Sequence, residues 1–184
     1  MVGLNKFLMT KEEFKEIKDY YIESTKENLL KHGNIEPVIT IMGDLKDKNT
    51  PSALQIVLPE EVANSDENKQ LFVDEVIPKL ALEVREKFTI QAVGWSSEAW
   101  LREIPKDEFK VEDYKKIPIK REILIITIDT AKESECYAYE IVRMSVSPNG
   151  DLVENIDLVE LPDVASSASN SQGRFNDLYR KFTS

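Results

Sequence analysis

Glu98 sits in the run Gly94-Trp95-Ser96-Ser97-Glu98-Ala99-Trp100, between small hydroxyl residues and an indole. A carboxyl in so apolar a setting has its charged form disfavoured, which moves it toward general acid or base work. Arg121 and Glu122 open an apolar run further along, and Asp129 closes it. If these segments are antiparallel neighbours, Glu98 and Arg121 fall near the same sheet end. Two uses of that pair compete. With Glu122 beside it, the pair suits a small carboxylate-dependent enzyme such as a hydrolase. The plainer use is a structural ion pair that holds the charged excursion 102–118 in place.

Other chemistry is thinly supplied. His32 is the single histidine, so a histidine-rich zinc site is impossible, and its position suits a helix C-terminus. Cys136, the single cysteine, lies inside a strand beside Tyr137 with no cation to lower its pKa, and reads as an inert thiol. The six glycines are scattered and no Gly-Lys-Ser/Thr occurs, which excludes a P-loop. No metal or cofactor is expected. Lys115, Lys116, Lys120 and Arg121 form a short cationic cluster: either a phosphate contact, or a solvated loop offsetting Glu108, Glu112 and Asp113. Trp95 and Trp100 could stack on a ligand or line the rim of the core.

The elements that must position these residues follow from periodicity. Thr10 and Glu13 form a capping box; Phe14, Ile17, Tyr21 and Leu29 recur at helical spacing, and Gly33 supplies a left-handed stop. A helix is predicted over 11–32. Strands are expected at 37–42 and 54–58, paired as a hairpin. A second helix opens near Ser65, with Phe72, Val76, Leu80, Val84 and Phe88 as one apolar stripe and a kink at Pro78. Further strands are predicted at 89–95, 123–128, 136–144 and 152–159, with a short helix near 107–114 and a turn at 147–150. The run 123–128 is apolar on both faces and reads as a central, doubly covered strand. Short connections demand antiparallel neighbours. The class is therefore α+β: an antiparallel sheet of about six strands, two main helices on one face, and a C-terminal helical tail.

That tail is the most distinctive segment. Residues 1–162 read as one α+β domain and 163–172 as a flexible linker, Val164 to Ser171 being small and polar. Over 173–184, Phe175, Leu178, Tyr179 and Phe182 fall at i, i+3, i+4 and i+7, one face of a helix too short to stand alone in water. From Gly173 onward the chain carries a net +2, against −10 for the whole, so an acidic surface attracts it. It folds back on its own domain, or enters a groove on a partner or a sister subunit. Gln172, Phe175, Leu178 and Tyr179 also resemble the clamp-binding box of replication and repair proteins, with Phe175 where an aliphatic residue is usual and Leu178 where an aromatic is usual. That resemblance implies a sliding clamp as partner.

At 184 residues the chain suits one domain with a short appendage. Its charge of −10 argues against direct nucleic-acid or anionic-membrane binding. The lone cysteine, the absence of a signal-like N-terminus and the lack of any apolar run near the membrane-spanning length of about 18 point to a cytoplasmic protein. Ser97-Glu98-Ala99-Trp100, the charged excursion, and Arg121-Glu122 opening an apolar strand together resemble a pattern in small uncharacterised phage and prokaryotic proteins, over about residues 70–145. The resemblance implies a phage-type origin but no activity. The leading expectation is a non-enzymatic accessory protein that docks a partner through its C-terminal peptide, homo-oligomers included.

Overall fold

The structure, a computed structural model, describes residues 9–48, 50–102, 120–146, 153–168 and 177–184. Thr10 starts helix α1 (Lys11–His32) as the capping box requires. Its hydroxyl accepts from the Glu13 amide, and the Glu13 carboxylate accepts from the Thr10 amide at 2.7 Å. Gly33, with φ 79°, ends the helix by donating to the Leu29 carbonyl.

Strands β1 (Val38–Leu45) and β2 (Thr50–Val57) form the expected hairpin. β3 (Phe88–Leu101), β4 (Arg121–Thr130), β5 (Ser134–Val146) and β6 (Val153–Glu160) complete one antiparallel sheet in the order β2-β1-β3-β4-β5-β6. The α+β class and the six-stranded sheet stand as read from the sequence. β1 crosses β3 so closely at its bulge that a Cβ on Gly43 would lie 2.2 Å from the Thr89 carbonyl oxygen, so only glycine fits there.

The second helix departs from a straight rod. It consists of α2 (Glu60–Ala63), α3 (Asp66–Leu71), a π-helical turn (Phe72–Val76) and α4 (Ile77–Lys87). Pro78 has no amide to donate, and the wider π turn delivers it into the first turn of α4, where no donor is needed. The π turn also rotates the apolar stripe. Phe72, Val73, Ile77, Ala81 and Val84 are buried, whereas Val76 is 38% exposed and Phe88 belongs to β3.

The two main helices cover opposite faces of the sheet, which corrects the single-face expectation. Tyr21, Ile22 and Leu29 of α1 pack with Met42, Ala92, Leu124, Ile126, Ile128, Tyr139 and Ile141. Phe72, Ile77 and Val84 pack with Ile39, Ile41, Val93 and Trp95 on the other face. Period-two alternation along β1 and β3 explains this, since both strands are apolar on both faces. β4 is the doubly covered strand that its sequence promised, with Ile123 buried on one face and Leu124, Ile126 and Ile128 on the other.

Helix α5 (Pro162–Ala168) covers the first residues of the segment 163–172 read as linker. Pro162 is pre-set for a first helical position, and the Ala165 amide donates to the Leu161 carbonyl. The tail helix α6 (Leu178–Thr183) is present within the segment predicted over 173–184, of which 173–176 lie outside the described residues. The predicted helix at 107–114 and the turn at 147–150 lie outside the described residues.

Candidate functional site

Three candidate regions can be built from these elements. The first is the carboxylate cluster. Alternation along β3, β4 and β5 places Glu98, Glu122 and Arg143 on the α1 face, where the C-terminus of α1 meets the sheet. Arg143 grips Glu122 with both arms: Nε donates to Oε2 at 2.8 Å and Nη2 to Oε1 at 2.7 Å. Its Nη1 donates to the Gly33 carbonyl at 2.6 Å. Glu98 accepts from the Ile35 amide at 2.8 Å and lies 3.9 Å from Arg143 Nη2. The arrangement clamps the α1–β1 connection onto β3, β4 and β5.

Arg121 does not join Glu98. It opposes Leu101, one residue out of phase with Glu98 and Glu122, so its side chain takes the other face and pairs with Glu140 at 3.5 Å. Arg143 occupies the role that the sequence reading gave to Arg121. Its signal was present: it continues the alternation Tyr139, Ile141, Arg143, which fixes its face once β5 is placed.

The electrostatics of the two carboxyls diverge. Burial first, and then the charge of Glu122, push Glu98 above the usual carboxylate range, against the Ile35 amide and Arg143. The Arg143 hydrogen bonds hold Glu122 below that range. Two neighbouring carboxyls with separated affinities are what a general acid and a general base need. They are equally what a clamp produces when one partner takes both arms of an arginine.

The second region is the C-terminal segment. Leu178 and Phe182 are 0% exposed and belong to the core beside Ile77 and Trp95; Tyr179 is half-buried against it. Asp129, buried at the end of β4, accepts from the Leu178 amide at 3.0 Å and from Ser134 Oγ. Arg85 of α4 donates to the Ser184 carbonyl. Gln172 and Phe175 lie outside the described residues, as do Lys115 and Lys116.

The third region was missed in the sequence. A groove lies between α1 and the β1–β2 hairpin. One stretch, about 480 Å³, is lined by Thr25, Asn28, His32, Gln55, Val57 and Ser96 among others. The adjoining stretch, about 340 Å³, shares Asn28 and Gln55 and reaches Tyr21 and Thr40. Those two residues are 2% and 1% exposed. Burial pushes the Tyr21 hydroxyl up to about 12, against the hydrogen-bonding influence of Ser96 and Thr40. No sequence signal marked this groove, because its lining comes from α1, β1, β2 and β3 brought together only by the fold.

Trp95 is buried in the core, whereas Trp100 is 60% exposed. Burial pushes the Cys136 thiol up to about 11, away from thiolate chemistry. Among the described residues, no three His, Cys, Asp or Glu side chains are grouped to hold a metal ion. Comparison with known proteins gives no relative: no family model matches the chain, nor does any curated protein or solved structure.

Proposed function

We propose that this is a non-enzymatic interaction protein that recruits an extended segment of a partner protein along the edge of β2. One observation carries the reading. β2, Thr-Pro-Ser-Ala-Leu-Gln-Ile-Val, ends the sheet and contains no charged residue, whereas each of the other five strands carries at least one. Free edges are ordinarily protected by charge, as β6 is by Asp157 and Glu160 at the opposite edge. Past Pro51, an edge that carries no charge among the described residues and leaves Leu54 and Val57 exposed is suited to strand addition. The chain's charge of −10 penalises a second copy and favours a neutral or basic segment. In this reading the C-terminal segment is an internal staple whose host is its own sheet, and a partner reaching it would first have to extract Leu178 and Phe182.

The test is selection of short displayed peptides against the whole chain, followed by hydrogen exchange of the complexes. Binders are expected to be extended and neutral or basic, to slow exchange in β2, and to be lost with Leu54→Lys. Binders that leave β2 unchanged, or that compete with 177–184, would contradict the reading.

The separated carboxyls favour a second reading, a hydrolase using Glu98 and Glu122, with Arg143 rather than Arg121 as the cation. It requires a turnover that Glu98→Gln abolishes while leaving the melting temperature intact.

A further inference from the structure

We infer that the partner segment seated on β2 carries an arginine whose side chain enters the cleft between the C-terminal half of α1 and the Val57 end of β2. The inference rests on the β2-edge reading and names the chemistry of its partner. Backbone phase comes first. The Leu58 amide donates to the Pro37 carbonyl at 2.9 Å, and the register that sets Val38 against Val57 makes these two residues direct opposites. Hydrogen-bonded pairs alternate along an antiparallel ladder, so Ile56, Leu54 and Ser52 turn their amides and carbonyls toward β1. Ala53, Gln55 and Val57 therefore turn theirs outward. Pro51 shares that outward phase, where its missing amide costs the ladder nothing.

Side chains follow the same alternation. Ala53, Gln55 and Val57 line the α1 face, whereas Ile56 packs against the core on the α4 face. A residue of an added strand lying opposite Gln55 or Val57 thus directs its side chain onto the α1 face, in either strand direction, and its neighbours face Leu54 and Ile56. The α1 face opens there into a cleft of about 480 Å³, lined by Asn28, His32, Asn34, Glu36, Gln55 and Ser96 among others. Glu36 brings a carboxylate, and the amide side chains bring carbonyl acceptors. Glu60 and Glu61 open α2 just beyond the same end of β2. At the Thr50 end Lys46 and Lys48 surround Asp47, so the acidic end of the edge is the one with the cleft. A guanidinium offers five donors in a planar fork, enough to meet a carboxylate and amide carbonyls together, whereas an acidic side chain meets repulsion there. The partner segment is therefore an alternating one, apolar toward Leu54 and Ile56, with arginine on the opposite phase.

The test uses the whole chain and three acetylated, amidated heptapeptides, Val-Thr-Val-X-Val-Thr-Val, with arginine, citrulline or glutamate at X. Citrulline keeps the shape of arginine and removes its charge. Affinity is read by calorimetric titration and the site by amide hydrogen exchange. The arginine peptide should slow exchange at Ala53, Gln55 and Val57, and should bind about fivefold more tightly than the citrulline peptide, with glutamate weakest. Glu36 is exposed, so Glu36→Gln should leave the fold intact; it should abolish the preference for arginine and leave the citrulline affinity unchanged. Equal binding of all three peptides at β2, or an arginine preference that persists in Glu36→Gln, would overturn the inference while the β2-edge reading stands. Failure of all three to slow the β2 amides would overturn both.

Discussion

Glu98 and Glu122, gripped around Arg143, form a clamp in which two neighbouring carboxyls are driven apart in proton affinity. Glu98 is held above its ordinary value, so the folded state takes up its proton more readily than the unfolded chain. Its contribution is therefore a penalty at neutral pH that is relieved as pH falls toward 4.5. Glu122 is held below its ordinary value, so its contribution is present above 4.5 and is lost as pH falls through the lowered value. Glu98→Gln keeps an acceptor for the Ile35 amide and removes the repulsion. We expect unchanged or raised stability at pH 7 by chemical denaturation, the difference from wild type shrinking on acidification toward 4.5. Glu122→Gln breaks the two-armed grip and should cost about 1–3 kcal/mol. The outcome that would undo the clamp account is the reverse order of the two variants. At the same scale, Gly94→Ala should lower stability by about 1–3 kcal/mol through its clash with Tyr21, read as a lower melting temperature. Glu98 and Glu122 were visible as candidates because carboxyls in apolar strands are conspicuous. Assigning Arg121 rather than Arg143 followed from adjacency in sequence, where the register of two strand pairs decides.

Among the elements, α1 was legible to its ends, because Thr10, Glu13 and Gly33 are local signals that tertiary packing has no reason to override. The π turn was not legible: Phe72, Val76, Leu80 and Val84 fit a straight helix equally well, and only Pro78 hinted at a local change of period. The tail pattern at Leu178, Tyr179 and Phe182 was legible as a face needing a host, but a sequence does not say whose surface is nearest. The structure supplies the host in the α4 side of the sheet, and full burial of a leucine and a phenylalanine there is worth about 1.5–3 kcal/mol each. Phe182→Ala should therefore destabilise the whole domain by about 3–5 kcal/mol in denaturant titration. A variant with wild-type stability would mean that the segment does not belong to the core.

At the scale of the whole molecule, the sheet has two unlike edges in a strongly acidic chain. β6 is guarded by carboxylates; among the described residues β2 carries no charge and only Pro51 to blunt its edge, and the groove beside it is polar and open. The α+β class and strand count followed from turn signals and short connections. Which helix covers which face did not, since β1 and β3 are apolar on both sides and accept a helix on either. Among the described residues no helix is long and apolar enough to cross a membrane.

The account turns on the closing helix being part of the core while β2 remains open. Residue-resolved hydrogen exchange of the intact chain tests both together. The account predicts Leu178–Thr183 amides protected at the level of α4, with alternate β2 amides exchanging rapidly. Rapid, coil-like exchange throughout 178–183, with β2 fully protected, would contradict it.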